Sequence, residues 1–166
     1  RMLNPKDGII VTANNDFNQW GQVKPMTLPM SSYRADMIRR RLTEKEKLAP
    51  ADMQRIHYDR HSLQAEIYMR VIRPLLPNSP NGQILRDWDL CYTADSFGAT
   101  LFENVYAELV KLVFGEMGVG ADVINLARDE TLVFAMTHGN FDALLLSESS
   151  AWFAGKPREE IFKEAI

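Results

Sequence analysis

The sequence predicts a mainly α protein, in which a domain of several helices follows a short extended arm at the N-terminus. From residue 31 onward, apolar residues recur every three or four positions, the period of an amphipathic helix. The first 30 residues lack that period and hold one strand candidate, residues 8–13, before a loop rich in Asn, Gln, Gly and Pro. We therefore divide the chain into an arm and loop, residues 1–30, and a helical domain, residues 31–166.

Composition supports a globular domain and excludes some partners. The chain has 166 residues, 46% of them hydrophobic, which is enough to bury a core. Its net charge of -3 implies no strong field for nucleic acid or an anionic membrane surface. No apolar run reaches the ~18–20 residues of a membrane span. The single cysteine, Cys91, excludes an internal disulfide and leaves the redox compartment open.

The first helices are predicted from caps and prolines. Ser31 or Ser32 can cap a helix that runs to about Leu42. Pro50 suits the first turn of a second helical stretch, which is interrupted near Arg60. Its apolar residues at helical spacing are Met53, Ile56, Leu63, Ile67 and Val71.

Prolines and glycines divide the second half of the chain. Prolines 74, 77 and 80 end the second helical stretch, and a short segment, residues 83–88, follows. We expect Asp95 to cap a long helix that the glycine-rich residues 115–120 break. The apolar stripe of this helix is Phe97, Leu101, Val105, Leu109, Leu112 and Val113. Shorter helices are predicted over residues 129–137 and 141–153, and a last one from Lys156–Pro157.

Two groups of residues that could bind a ligand, a histidine pair and a basic cluster, are better interpreted as ordinary surface residues. His57 and His61 stand at i and i+4, the spacing at which one helix can hold zinc, but no third ligand or zincin glutamate accompanies them. A pair of partly exposed histidines is therefore favoured. Basic residues that could grip phosphate lie among acids, so a solvated helix face is favoured for them. They are Arg39, Arg40, Arg41, Lys45 and Lys47.

Arg34 and the asparagine pair after the strand candidate are the better candidates. Arg34 shares a helical stripe with Ile38 and Leu42, so it must snorkel or find a partner. Asn14 and Asn15 suit a strand-ending turn, which local propensity favours. The alternative is an amide NH₂ aimed at a developing negative charge, as in an oxyanion hole. These residues alone do not form an active site.

Several segments, in order along nearly the whole chain, resemble the penicillin acylase family of N-terminal nucleophile hydrolases. "NPKDGIIVTANN" is similar to the family's "NP-x-x-G-x-[IV]-x-x-x-NN" segment of the β chain, and "LRDWDLCYTADSFGATLFENVY" to its "W-D … D-S-x-A-A-x-L-F" stretch. "SSYRADMIRRRL", "LAPADMQRIHYDRHSLQA" and "FAGKPREEIFKEA" resemble further family blocks. The opening residues and the helical end at Ile166 lead us to expect an internal piece of such a β chain.

The resemblance implies roles for two residues. In this family an N-terminal serine attacks an amide carbonyl with its own α-amino group as base. Asn14 matches the asparagine of the oxyanion hole, and Arg34 matches the arginine that orients the nucleophile and that asparagine. Some members bind calcium through an Asp between these two positions. After Asp16 this chain has no acidic residue before Arg34, so we expect no metal ligand in this chain and no cofactor, whereas the parent enzyme could still bind calcium.

The leading hypothesis is the helical part of a penicillin-acylase-like amidohydrolase that is inactive by itself. Its expected partners are the rest of the same precursor, α chain and remaining β chain, and a small acylated amine such as a β-lactam or an acyl-homoserine lactone. The resemblance implies a periplasmic or secreted parent. The alternative hypothesis is a non-catalytic helical interaction module that retains the acylase scaffold.

Overall fold

The computed structural model describes residues 4–23, 30–129 and 141–166. Its α-helices are α1 (Tyr33–Leu42), α2 (Pro50–His57), α3 (Leu63–Ile72), α4 (Pro80–Asp87), α5 (Phe97–Val110), α6 (Ala121–Asp129) and α7 (Arg158–Ala165). A π-helix, Lys111–Val119, continues α5, and residues 141–145 are also helical. Single 3₁₀ turns occupy Asn18–Trp20, Arg73–Leu75 and Ala151–Phe153. No β-strand occurs in the described ranges, so the mainly α class is confirmed.

The prediction of a strand over residues 8–13 is wrong. These residues have neither helical nor strand conformation, and Ile10 exposes 59% of its surface. A strand is stable only when another strand completes its backbone hydrogen bonds. Within the described residues no such partner exists, so the apolar run forms an arm beside the helices.

The predicted starts of α1 and α2 are confirmed, and the second predicted helical stretch is divided into two separate helices, α2 and α3. Ser32 occupies the N-cap position of α1, and Pro50 is the first residue of α2. The interruption near Arg60 is a true break, because α2 ends at His57 and α3 begins at Leu63. Ser62 caps α3 by accepting a hydrogen bond from the backbone N–H of Ala65.

Two details predicted for α5 are wrong. The cap is Ser96, whose Oγ accepts from the Ala99 backbone N–H, and the helix begins one residue after it. Phe97 does not join the apolar stripe, because 76% of its surface is exposed. Its neighbour Gly98 instead packs against the indole of Trp88, and successive helical residues point about 100° apart.

The later predictions are partly confirmed. The glycine-rich break lies where the sequence places it, since Gly118 departs from helical geometry and Gly120 has a φ of 102°. The helix predicted over residues 129–137 lies outside the described residues except for Asp129, which ends α6. The helix predicted over residues 141–153 is shorter, since only residues 141–145 are helical and a 3₁₀ turn forms at Ala151–Phe153. The last helix, α7, follows Pro157 as expected.

The core lies where α3, α5 and α7 meet. Tyr68, Phe102 and Phe162 are at most 1% exposed, and the Tyr68 ring lies 6.0 Å from Phe102 and 6.1 Å from Phe162. Trp88 extends this aromatic cluster, with its ring centroid 5.6 Å from that of Phe102. Helices α1 and α2 pack against each other, and α1 also packs against α3; α1 carries Arg34, and α2 ends at His57. Of the helices described, none is long and apolar enough to span a membrane.

Candidate functional site

The structure brings Asn14 and Arg34 into direct contact. Arg34 is the second residue of α1, and its Nη2 donates to Asn14 Oδ1 at 2.6 Å and to the Ala13 carbonyl at 3.1 Å. The helical stripe predicted that this arginine needs a partner, and the arm supplies it. Asn14 of the arm and Arg34 at the start of α1 lie 20 residues apart in sequence and form one small site.

The backbone around Asn14 fixes this contact. Asn14 has a φ of 61°, a left-handed conformation that asparagine tolerates better than most residues. Its carbonyl accepts from the Met30 backbone N–H at 2.7 Å. Asn15 forms the local turn, since its Oδ1 accepts from the Ala13 backbone N–H at 3.1 Å. The two asparagine side chains therefore have different partners: Asn15 stabilises the local turn, and Asn14 binds Arg34.

The contact also decides which way the Asn14 side chain faces. A guanidinium has hydrogen-bond donors only, so it selects the oxygen of an amide and not the nitrogen. With Oδ1 on Arg34, the Asn14 Nδ2–H₂ group is directed away from it as a donor. Asn14 is exposed, and no hydrogen bond from this nitrogen is made within the described residues. The pair thus presents an oriented donor at the surface of the described chain.

The three consecutive arginines on α1, Arg39 to Arg41, all form ion pairs. Arg39 pairs with Asp7 of the arm at 2.5 Å, and Arg40 pairs with Glu66 of α3 at 2.8 Å. Arg41 reaches both Asp59 at 2.5 Å and Glu44 at 2.6 Å, and these pairs raise its pKa. A partly exposed, ion-paired face agrees with the favoured interpretation. These contacts connect α1 to the arm and to α3.

A cleft of about 860 Å³ opens between α1, α2 and α3. Apolar side chains form much of its wall, among them Met37, Ile38, Leu42, Met53, Ile56 and Leu63. Arg34, His57, His61 and Gln64 add polar groups to its lining. Its volume lies within the roughly 300–1,000 Å³ of small-molecule pockets. Arg34 therefore faces both the cleft and the Asn14 contact.

His57 and His61 do not share one helix, so the i, i+4 geometry that could hold zinc is not formed. His57 is the last residue of α2, whereas His61 lies in the break and pairs with Cys91 in an isolated β-bridge. His61 Nε2 contacts Glu66 Oε2 at 3.1 Å. Hydrogen bonds from Arg40 and His61 lower the pKa of the Glu66 carboxyl to about 2. Across the described residues, no three His, Cys, Asp or Glu side chains converge as a metal site.

The sequence analysis missed a buried carboxylate, Asp142, which is 2% exposed. Its Oδ1 accepts from the Tyr68 hydroxyl at 2.7 Å and its Oδ2 from Gln64 Nε2 at 3.0 Å. The only local signal is one acid beside the apolar run "ALLL". An acid in such a run is worth testing for burial, because burying an unpaired charge is costly.

The family of the chain follows from a comparison with family models. The model described as penicillin amidase matches residues 1–166, the whole chain. The chain belongs to the penicillin amidase family. No curated protein and no solved structure matches it. Membership confirms the resemblance seen in the sequence, and it supports an acylase-like amide hydrolase as the class of enzyme to which this penicillin amidase domain belongs.

Proposed function

We propose that this chain supplies the oxyanion donor and its supporting arginine to a penicillin-amidase-type acylase whose nucleophile lies outside the chain. The observation that supports this most is the contact of 2.6 Å between Arg34 Nη2 and Asn14 Oδ1. It joins the two residues that the family pattern pairs, and it turns the Asn14 amide into an oriented donor. Neither family membership nor helical spacing alone requires that contact.

The proposed chemistry is acyl transfer in two steps. The hydroxyl of an N-terminal serine attacks the amide carbonyl carbon, and the serine α-amino group takes its proton. The carbonyl oxygen gains the negative charge, and Asn14 Nδ2–H₂ donates to it. When the C–N bond breaks, the amine leaves with that proton. Water then attacks the acyl-serine ester by the same route and releases the acid.

Arg34 has a positioning part in this scheme. Its positive charge strengthens the hydrogen bond to Asn14 Oδ1 and polarises the amide, so the Nδ2–H₂ group becomes a better donor. Because the donor is fixed before charge develops, the transition state gains the interaction without the cost of reorienting the amide. The substrate class is an acylated amine such as a β-lactam or an acyl-homoserine lactone.

The 166-residue chain alone is expected to be inactive. It is proposed to hold only the charge-stabilising half of the site, and an oriented amide does not attack a carbonyl. The purified chain should release no product from a chromogenic phenylacetyl or acyl amide. Turnover that a serine-directed inhibitor abolishes in this purified chain would contradict the proposal.

The role of Asn14 is tested in the complete enzyme by comparing two neighbouring asparagines. Asn14→Ala should lower kcat by roughly a hundredfold or more, the usual cost of losing one oxyanion donor. Asn15→Ala is the matched control, because Asn15 Oδ1 accepts from the Ala13 backbone N–H in a local turn and does not contact Arg34. Equal rates for Asn14→Ala and the parent would remove Asn14 from this role. If the complete protein has no serine that cleavage could expose as an N-terminus, the interaction-module hypothesis replaces this one.

A further inference from the structure

The arm is attached to α1 at two separate places. At one of them, Arg34 Nη2 donates to Asn14 Oδ1 at 2.6 Å and to the Ala13 carbonyl at 3.1 Å. At the other, nearer the N-terminus, Arg39 Nη1 donates to Asp7 Oδ2 at 2.5 Å. Because the later arm residue meets the earlier helix residue, the arm runs antiparallel to α1 between these two contacts.

The backbone around Asp7 directs its carboxylate towards α1. Asp7 Oδ1 accepts from the Ile9 backbone N–H at 3.2 Å, while Oδ2 binds Arg39. Asp7 also lies within a turn, which the Gly8 N–H closes by donating to the Pro5 carbonyl at 2.9 Å. The ion pair is therefore made from a formed turn, and it fixes the start of the arm on the helix.

The middle of the arm is held only by side-chain packing. Residues 10–12 make no hydrogen bond among the described residues. Ile9 and Val11 are half-buried and Ala13 is buried, whereas the residues between them are exposed. An extended segment with so few hydrogen bonds opens locally at low cost. Its position on α1 therefore depends on the polar contacts at its two ends.

We infer that Asp7 and Arg39 are positioning residues for Asn14, because their ion pair holds the start of the arm on α1 and so keeps the Asn14–Arg34 contact closed. Two contacts between the same two segments support each other, since each keeps the partners of the other close together. Asp7 and Arg39 act through the arm and not on a substrate. The catalytic meaning of this inference rests on the proposed function, whereas the attachment of the arm does not.

The attachment is tested in the 166-residue chain by amide hydrogen exchange. The Met30 backbone N–H donates to the Asn14 carbonyl at 2.7 Å, so its exchange rate reports how often the arm opens at Asn14. Arg39→Met should speed this exchange roughly twofold to fivefold, the effect of losing one exposed ion pair. Arg39→Lys keeps the positive charge, so its Met30 exchange should lie closer to the parent than to Arg39→Met.

Arg40→Met is the matched control. Arg40 is the next residue on α1, and it pairs with Glu66 of α3 at 2.8 Å instead of with the arm. The two arginine side chains are similarly exposed, 44% for Arg39 and 51% for Arg40. Arg40→Met should leave Met30 exchange as in the parent, whatever its effect on Tm. The inference is refuted if Arg39→Met leaves Met30 exchange unchanged, or if Arg40→Met speeds it equally.

Asp7→Asn tests the other partner of the ion pair. It keeps an oxygen that can accept from the Ile9 N–H and removes the negative charge that faces Arg39. Asp7→Asn should speed Met30 exchange about as much as Arg39→Met does. The double variant should be no faster than either single variant, because both changes remove the same contact. Effects that multiply in the double variant would contradict a role for the pair.

Kinetics in the complete enzyme separate this inference from the proposed function. Arg39→Met should lower kcat roughly twofold to fivefold with KM nearly unchanged, since a looser donor stabilises the developing charge less well. Arg40→Met should keep the parent kcat. If Arg39→Met speeds Met30 exchange but not even Asn14→Ala changes kcat, the proposed function fails and the attachment of the arm stands. If Asn14→Ala lowers kcat but Arg39→Met changes neither Met30 exchange nor kcat, only the positioning role is lost.

Discussion

Gly98 is the position where adding a single methyl group should disturb this fold most clearly. It lies buried in the first turn of α5, against the indole of Trp88. A Cβ added there would lie 2.5 Å from Trp88 Cδ1 and 2.7 Å from Trp88 Cβ. Such distances are far inside van der Waals contact, so either the indole or the start of α5 must move.

Trp88 has little freedom to move. It is 7% exposed, and its Nε1 donates to the Cys91 carbonyl at 3.2 Å. Arg73 Nη2 also donates to the Trp88 carbonyl at 3.0 Å. Overpacking of this kind costs about 1–3 kcal/mol, and replacing glycine by alanine in a helix returns up to about 1 kcal/mol. We therefore expect Gly98→Ala to lower the free energy of unfolding by about 1–2 kcal/mol.

The assay is thermal and urea unfolding of Gly98→Ala beside Gly115→Ala. For a domain of this size, a loss of 1–2 kcal/mol lowers Tm by roughly 2–8 °C. Gly115 is also buried in a helix, but a Cβ there would lie 3.5 Å from its nearest neighbour, the Ala121 Cα, an ordinary contact. Gly115→Ala should therefore be neutral or stabilising by up to about 1 kcal/mol. A Gly98→Ala variant as stable as the parent would refute the packing described for Trp88 and α5.

Three further predictions concern the core, pH and zinc. Phe102→Ala, at a side chain 1% exposed, should destabilise the fold by about 3–5 kcal/mol in urea unfolding, and a smaller loss would mean a looser core. Because the folded-state pKa of Glu66 lies at about 2, below its ordinary value of 4.5, its contribution is complete above pH 4.5 and is lost as pH falls towards 2. In Glu66→Gln, the free energy of unfolding should therefore fall by about 1–3 kcal/mol less between pH 4.5 and 2 than in the parent. The same pH dependence in both proteins would contradict the ion pairs at Glu66. Zinc should give no heat in calorimetry and no rise in Tm, because His57 ends α2 whereas His61 lies in the break before α3. Zinc binding that His57→Ala abolishes would contradict this.

The sequence predicts well where local rules decide the structure. Pro50 begins α2 as its type suggests, and the glycines of residues 115–120 end the long helix. Ser32 stands at the predicted N-cap position of α1, but its side chain makes no capping hydrogen bond. Local rules fail where a distant neighbour decides. The strand candidate at residues 8–13 needed a second strand, which the described residues lack, and Phe97 follows the helical period yet is exposed because Trp88 lies against Gly98 instead.

The candidate site shows the same division. The stripe on α1 predicts that Arg34 needs a partner, and the partner, Asn14, lies 20 residues away on a segment without regular structure. The family pattern, and not periodicity, connects those two positions. The partners of Asp142 could not be predicted, because its donors Tyr68 and Gln64 lie 74 and 78 residues away in sequence. Its only local signal is one acid beside an apolar run, which does not identify the donors.

The most direct test of the central claim is a double-mutant cycle on kcat in the complete enzyme, with Asn14→Ala, Arg34→Met and the double variant. If Arg34 acts by orienting Asn14, each single change removes much of the same stabilisation, and their effects cannot multiply. We predict that kcat of the double variant lies close to that of the slower single variant. A double variant slowed by the full product of the two single effects would contradict the account, because Arg34 and Asn14 would then act independently.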